Sequence, residues 1–305
     1  MMQKADWHGV LPAITTPFTE DDTVDERFLS EHIEWLVDNG CRGIVALGSL
    51  GEGATLSMAE KVRILEVCRG ALGSRAPLVA GVSGLATSEC VGLARAAEAA
   101  GCDGLMVLPP YVYRGDWLET RSHFSAVIGA TSLSCMLYNN PIAYGTDLSA
   151  AEVDELVALH DNVHALKDSS GDVRRLTALR AQLGDGLRLF AGLDDMVMEA
   201  VLMGADGWIA GLVNAFPAES VQLFDLARDG RVEEAQELYE WFLPLLRFDT
   251  VPKFVQLIKL VQTVEGRGSE RVRPPRLALT GEERTAALAV IETARRTRHQ
   301  ISVST

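Results

Sequence analysis

Lys167 ends a short apolar run, and its amine is the group in this sequence best suited to covalent chemistry. The run reads Val163-His164-Ala165-Leu166-Lys167. Lysine is scarce here, because five of the 28 basic residues are Lys and the other 23 are Arg. An arginine stays charged in a protein, whereas a lysine removed from water can lose its proton and attack a carbonyl carbon. The alternative interpretation is a strand-end lysine that extends to solvent.

Tyr138 ends another apolar run and is followed by Asn139-Asn140-Pro141. Its phenol could move protons to and from an amine nucleophile, or it could simply pack, half-buried, at the rim of the protein. If the two runs are neighbouring strands of one sheet, Tyr138 and Lys167 end within hydrogen-bonding distance of each other. This pairing favours a catalytic role for both residues.

A third apolar run, Gly43–Leu47, leads into the glycine-rich segment Gly48-Ser49-Leu50-Gly51-Glu52-Gly53. Backbone amides in such a turn can approach an anion closely. The segment lacks the G-x-x-x-x-G-K-[ST] spacing of a P-loop, so a carboxylate fits it better than a nucleotide phosphate. An ordinary turn that uses glycine for positive φ is an equally good interpretation.

No metal site is predicted. The six histidines are scattered without ligand spacing (His8, His32, His123, His160, His164 and His299). The pair Asp194-Asp195 could indicate a divalent cation, but a cap at a helix N-terminus is the preferred interpretation.

The order of elements predicts an α/β protein, a (β/α)₈ TIM barrel. Eight apolar runs alternate with amphipathic segments over about 215 residues, and they are continuously apolar, which suits strands covered on both faces. The predicted strands are Leu11–Thr15, Gly43–Leu47, Leu78–Val82, Gly104–Leu108, Cys135–Tyr138, Val163–Lys167, Leu187–Ala191 and Gly207–Ala210. In this fold, function resides in the loops after the strands.

After Gly211 the pattern is helical only. We expect residues 1–215 to form the barrel core. Residues 216–305 are expected to form the last barrel helix and a C-terminal helical extension of the same structural unit.

Composition restricts the partners and the location. A net charge of −14 argues against nucleic acid or an anionic membrane surface as a partner. No apolar run approaches the about 20 residues of a membrane span, and the first residues lack the apolar segment of a signal peptide. Five cysteines without C-x-x-C spacing suggest packing residues in a reducing cytoplasm.

Three motifs together resemble the dihydrodipicolinate synthase / N-acetylneuraminate lyase family of Schiff-base aldolases and dehydratases. They are Gly48-Ser49-x-Gly51-Glu52, Tyr138-Asn139-x-Pro141 and Ala165-Leu166-Lys167-Asp168, and the likeness runs over residues 8–300. The resemblance implies a barrel with a C-terminal helical part. It also implies a homotetramer built from two tight dimers, a small-molecule 2-oxo acid or imino acid substrate, and no cofactor beyond the covalent imine on a lysine.

Carried over position by position, the resemblance makes Lys167 the imine-forming lysine and Tyr138 the proton-shuttling tyrosine, with Ser49 as relay. The Leu50 amide and Ser49 match the loop that holds the substrate carboxylate. The remaining substrate-binding positions are Gly48, Thr16, Ala143, Gly192 and Ile209.

The chain departs from the synthases in three places. They carry Thr-Thr where this chain has Ser49-Leu50, and a Tyr-Tyr pair where it has Tyr111-Val112. They place a carboxylate-binding arginine where this chain has Ala143. A lost bidentate clamp changes which substrate fits, so lysine biosynthesis is disfavoured. Tyr113 is a candidate for the missing second tyrosine.

The motifs look most like the branch with Δ1-pyrroline-4-hydroxy-2-carboxylate deaminases and 2-keto-3-deoxy sugar acid dehydratases. The predicted reaction converts Δ1-pyrroline-4-hydroxy-2-carboxylate to 2,5-dioxopentanoate and ammonia. The alternatives are a 2-keto-3-deoxy sugar acid dehydratase and a pyruvate-dependent aldolase like dihydrodipicolinate synthase. A non-catalytic 2-oxo acid sensor is the alternative from outside the enzymes.

Overall fold

The structure, a computed structural model, describes residues 2–298, so His299 and the residues after it lie outside the description. Within residues 2–298, eight parallel strands form one sheet: β1 (Gly9–Pro12), β2 (Ile44–Ala46), β3 (Leu78–Val82), β4 (Gly104–Val107), β5 (Ser134–Asn139), β6 (Val163–Asp168), β7 (Arg188–Ala191) and β8 (Gly207–Ala210). From β2 to β8 each strand pairs with the next, and β8 pairs with β1. A bridge between Ala13 and Val45 joins β1 to β2. The predicted (β/α)₈ TIM barrel is confirmed.

Helices surround the barrel and continue beyond it. Those between or after strands are α1 (Glu26–Asp38), α2 (Met58–Leu72), α3 (Thr87–Ala99), α4 (Trp117–Ile128), α5 (Pro141–Tyr144), α6 (Ala150–Leu159), α7 (Arg174–Leu183), α8 (Val197–Leu202) and α9 (Pro217–Arg228). The predicted C-terminal helical extension consists of α10 (Val232–Leu246), α11 (Phe254–Val264) and α12 (Gly281–Thr297).

The strands are buried along nearly their whole length. All five residues of β3 and all six of β5 are buried, because helices cover the outside of the barrel and side chains fill its interior. Each fully buried Leu, Ile or Val side chain contributes about 1.5–3 kcal/mol relative to an exposed one. The five cysteines are also buried, as free thiols, which agrees with the packing role predicted for them.

The first strand begins and ends earlier than predicted. It was expected at Leu11–Thr15, but its ladder with β8 runs from Gly9 paired with Gly207 to Pro12 paired with Ala210. The ladder stops there because β8 itself ends at Ala210. The short helices α5 and α8 were also not predicted, since four and six residues are too few to show a helical period.

A buried ion pair connects the barrel to the extension. Lys259 on α11 donates from Nζ to the Glu52 carboxylate, 2.6 Å away, and both side chains are almost completely buried. The same carboxylate accepts a hydrogen bond from the backbone N–H of Arg273 at 3.0 Å. The extension is thus held against the glycine-rich loop by charge as well as by apolar packing.

Within residues 2–298, no helix combines the length and the apolar character that crossing a bilayer requires.

Lys259→Met should lower the free energy of unfolding by about 3–5 kcal/mol, because it removes the cation that is hydrogen-bonded to the buried Glu52 carboxylate. The matched control is Lys253→Met, since Lys253 pairs with Glu283 at the surface. Loss of that exposed pair should cost less than about 1 kcal/mol. Urea unfolding followed by circular dichroism measures both. Similar losses in the two variants would contradict this account.

A single cooperative unfolding transition of the wild-type protein is expected if residues 1–215 and the extension form one unit.

Candidate active site

A cavity of about 470 Å³ opens where the strands end at the top of the barrel. Eight of the nine residues predicted from the sequence to carry the site line it: Gly48, Ser49, Leu50, Tyr138, Ala143, Lys167, Gly192 and Ile209. They come from loops or strand ends far apart in sequence, which the parallel barrel brings to one face.

Lys167 lies at the cavity wall with its side chain almost fully buried. In the strand register it is opposite Tyr138 of β5 on one side and Phe190 of β7 on the other. Its Nζ lies 4.2 Å from the centroid of the Tyr138 ring. Among the described residues, no carboxylate forms a salt bridge with this amine. The amine is therefore withdrawn from solvent without being bound to a fixed anion.

Tyr138 is held by the loop that follows its own strand. Its Oη accepts a hydrogen bond from Asn140 Nδ2 at 2.9 Å, and Asn140 also caps α5 by accepting from the Ala143 N–H. The Tyr144 ring packs edge-on against the Tyr138 ring, with centroids 5.8 Å apart. The short helix α5 thus brings a second phenol next to the first.

Tyr144 joins Tyr138 to the glycine-rich loop, a connection that the sequence did not reveal. Its hydroxyl is hydrogen-bonded to Ser49 Oγ, and its ring also packs on Tyr111 at 5.4 Å. Burial, with the nearby Tyr138 phenol, raises the pKa of Tyr144 above its ordinary value. Tyr113, the residue suggested for this role, does not line the cavity; it is 59% exposed and donates to Glu119. Tyr113 thus lies outside the cavity of its own chain, and its role as the second tyrosine stays a prediction.

The glycines of the loop after β2 provide space rather than unusual backbone angles. Positive φ falls on Leu47 and Glu52 instead, at 64° and 54°. A Cβ on Gly53 would lie 2.3 Å from the Leu47 carbonyl oxygen, so only glycine fits there. The interpretation as a turn that needs glycine for positive φ is therefore wrong at these positions.

Thr16 was predicted to bind substrate, but it does not line the cavity. Its hydroxyl donates to the Gly51 carbonyl oxygen at 2.6 Å, and the residue is buried. The residue therefore positions the glycine-rich loop and has no free donor for a ligand. The sequence placed it correctly after β1 but could not show which way its hydroxyl points.

Asp194 does not cap the helix that follows it, which overturns that expectation. It is fully buried and accepts hydrogen bonds from Trp208 Nε1 and from the backbone N–H groups of Gly211 and Leu212, at 2.7–3.1 Å. Burial raises its pKa to about 6. The side chain fixes the loop after β8. Within residues 2–298, no group of three or more His, Cys, Asp or Glu side chains could hold a metal ion.

The extension supplies two charged residues to the cavity that the sequence did not reveal. Asp249, between α10 and α11, and Arg276, between α11 and α12, both line it. Arg276 also lies 3.8 Å from the Glu52 carboxylate. They follow the last strand by about 40 residues or more, so the rule that barrel function lies in the strand-end loops could not find them.

A (β/α)₈ barrel with a lysine and a tyrosine at the ends of adjacent strands is typical of the class I, aldolase-like lyases. The family model described as "Dihydrodipicolinate synthetase family" matches residues 6–294. The chain belongs to this family, as the motifs predicted.

Curated relatives and solved structures agree with this assignment. The 4-hydroxy-tetrahydrodipicolinate synthase of Agrobacterium fabrum is 31% identical over 280 residues, 92% of this chain and 95% of the relative. The 4-hydroxy-tetrahydrodipicolinate synthase of Methanococcoides burtonii is 30% identical over 277 residues, which are 90% of this chain and 94% of the relative. A prophage protein of the dihydrodipicolinic acid synthase family from E. coli K12, solved in complex with pyruvate, is 28% identical, with a TM-score of 0.89 over 95% of this chain and 99% of that one.

Gly192→Ala should slow imine formation at Lys167 by about 100-fold, the usual result of displacing a reacting group by about 1 Å. The new Cβ would lie 2.9 Å from Lys167 Cε and 2.7 Å from the Asp168 carbonyl oxygen. Borohydride trapping of pyruvate, followed by mass spectrometry, measures this. Gly186→Ala is the control, because a Cβ there meets no atom within 4 Å. Trapping at the wild-type rate by Gly192→Ala would contradict the proposed position of the amine.

Proposed function

We propose that the protein is an imine-forming dehydratase and deaminase whose substrate is Δ1-pyrroline-4-hydroxy-2-carboxylate. The observation that carries the proposal is the buried amine of Lys167 lying 4.2 Å from the Tyr138 ring at the cavity wall. An amine that is withdrawn from water and lacks a fixed anion is suited to attack C2 of a cyclic imine or 2-oxo acid. The covalent imine then serves as the electron sink, so the reaction needs no added cofactor.

The reaction proceeds by loss of a proton and of a hydroxyl group from neighbouring carbons. Lys167 attacks C2, and the protonated imine acidifies C3, from which the Tyr138 phenol takes the proton. The hydroxyl leaves C4 as water, and hydrolysis then releases ammonia and 2,5-dioxopentanoate. Tyr144 and Ser49 are hydrogen-bonded to each other beside Tyr138 and would pass the proton on. The Ser49 and Leu50 amides would hold the carboxylate.

The cavity wall near α5 supports a substrate with one carboxylate. Position 143, an arginine in the synthases that the motifs resemble, is Ala143, and its neighbour in the cavity is Ile142. The pyruvate complex of the E. coli K12 protein supports a 2-oxo acid end for the ligand. An apolar wall in place of a cation leaves a second carboxylate without a partner on that side.

A pyruvate-dependent aldolase is the second candidate, and Arg276 favours it. This guanidinium lies in the cavity wall and could hold the carboxylate of a second substrate. The relatives named 4-hydroxy-tetrahydrodipicolinate synthase also support this alternative. The 3.8 Å distance between Arg276 and the Glu52 carboxylate argues against the aldolase, because part of the Arg276 charge is already balanced. Pyruvate release from an open-chain 4-hydroxy-2-oxo acid would favour the aldolase over the dehydratase.

A 2-oxo acid sensor would bind without turnover, and the lysine and tyrosine together disfavour it. The homotetramer and the cytoplasmic location expected from the sequence stay predictions, which light scattering and cell fractionation would test.

Lys167→Ala should abolish ammonia release from Δ1-pyrroline-4-hydroxy-2-carboxylate, because the remaining side chain cannot form an imine. A coupled glutamate dehydrogenase assay measures ammonia directly. Lys61→Ala, at a lysine outside the cavity, is the control and should keep the wild-type rate. Full activity of Lys167→Ala would rule out the imine mechanism.

Tyr138→Phe should lower kcat for ammonia release by about 10²–10⁴-fold, the range lost when a positioned acid or base is removed. Phenylalanine keeps the ring packing against Tyr144, so the fold should be retained. Tyr239→Phe is the control, since that tyrosine lies on α10 outside the cavity. Equal rates for the two variants would show that Tyr138 moves no proton.

A further inference from the structure

The C-terminal extension places a carboxyl group without a partner in the cavity wall. Asp249 belongs to the turn Arg247–Thr250 between α10 and α11 and lines the same cavity as Lys167. Within residues 2–298, no hydrogen-bond donor or cation forms a hydrogen bond or a salt bridge with its carboxyl group. The residue is half-buried at the cavity wall, so its carboxyl group is available to a ligand in the cavity.

The loop after β8 leaves room for this carboxyl group. A Cβ built on Gly211 would lie only 2.2 Å from Asp249 Oδ1, so the carboxyl group rests directly on the glycine. Gly211 is itself fixed, because its N–H donates to the buried Asp194 carboxylate at 3.1 Å. The position of Asp249 is therefore defined by the barrel and is not that of a free surface side chain.

Charges around Asp249 favour its protonated form. Asp194 and Asp195 face it from the turn after β7, and Lys167 faces it from β6. Burial and the Asp194 charge raise the pKa of Asp249 well above its ordinary value, and the Lys167 ammonium acts in the opposite direction. Arg247, on the same turn, acts on Asp195. Asp194 is already committed to backbone N–H groups, so the proton is best held by Asp249.

The proposed reaction requires an acid for its leaving group as well as a base for the C3 proton. When the C3–H bond breaks, Tyr138 receives the proton and the electron pair moves into the imine. When the C4–O bond breaks, the oxygen leaves with its electron pair and needs a proton to depart as water. Tyr138 ends near the top of β5, whereas Asp249 rests on Gly211 after β8, three strands further round the barrel, so Asp249 can serve a leaving group that lies away from the tyrosine.

We propose that the carboxyl group of Asp249 is the acid that protonates the hydroxyl group as it leaves C4. The inference rests on the proposed dehydration and adds a residue to it. Asp249 becomes a carboxylate when water departs. It regains a proton from solvent or from the proton taken at C3, so the cycle balances.

Asp249 also bears on the choice between dehydration and aldol cleavage. A protonated carboxyl group donates to the C4 hydroxyl and promotes loss of water. An ionised carboxylate would accept the proton of that hydroxyl, which is what retro-aldol cleavage of the C3–C4 bond requires. The geometry therefore favours elimination while the group stays protonated.

The test compares Asp249→Asn with the wild type in two assays on the full chain. Borohydride trapping of pyruvate measures imine formation, and ammonia release from Δ1-pyrroline-4-hydroxy-2-carboxylate measures elimination. Asparagine has nearly the same shape but cannot give up a proton as an acid. We expect trapping at the wild-type rate and ammonia release slowed by about 10²–10⁴-fold. Asp249→Glu should recover part of the rate, and Asp185→Asn, at an exposed residue outside the cavity wall, should match the wild type.

The pH profile gives a second readout. The wild-type elimination rate should fall as the pH rises through the pKa of Asp249, because only the protonated form donates. In Asp249→Asn this decline should be absent. A structural role alone would not remove it.

Each remaining result has one meaning. Wild-type ammonia release by Asp249→Asn overturns the inference and leaves the proposed function intact. Loss of trapping in Asp249→Asn, with Asp185→Asn unaffected, assigns Asp249 to holding Lys167 and also overturns the inference. If the wild type traps pyruvate but dehydrates neither the pyrroline nor an open-chain 3-deoxy-2-oxo sugar acid, the proposed function itself fails, and the inference fails with it.

Discussion

The buried carboxylate of Glu52 is the point on which the arrangement of the cavity depends. Glu52 lies near the end of the glycine-rich loop in a left-handed backbone conformation. Its carboxylate accepts hydrogen bonds from Lys259 and from the Arg273 N–H of the extension. Because a buried charge without a partner is strongly unfavourable, loop and extension are stable only together. The loop would hold the carboxylate end of a substrate, and the extension carries Asp249 to the same cavity. The Glu52–Lys259 ion pair thus sets the spacing between the glycine-rich loop and the extension, which form two walls of the cavity.

Much of the barrel could be read from the sequence, and the reason is periodicity. Runs such as Leu78–Val82 and Gly207–Ala210 coincide with observed strands because strands covered on both faces are continuously apolar. Lys167 and Tyr138 were paired correctly, since consecutive parallel strands put their ends side by side. Strand β1 was placed two residues late, because its limits are set by its partner β8 and not by its own composition.

The parts of the cavity that the sequence did not reveal depend on tertiary contacts. Tyr144 reaches Ser49 only because a four-residue helix reverses the chain after β5. Asp249 reaches the cavity through helices that lie outside the alternating pattern. A residue's direction in such segments follows from packing over the whole chain, so neither spacing nor local composition encodes it. Thr16 shows the converse: its place in the loop was predictable, while the direction of its hydroxyl was not.

The contact between Asp249 and Gly211 links two positions that are 38 residues apart in the chain. Because a Cβ on Gly211 would overlap the carboxyl group, any larger residue at 211 requires a smaller one at 249. Conversely, a small residue at 249 leaves a gap that a side chain at 211 could fill. Relatives that lack the acid are therefore free to carry a side chain at 211, and the two positions should vary together as an acid–glycine pair or its replacement.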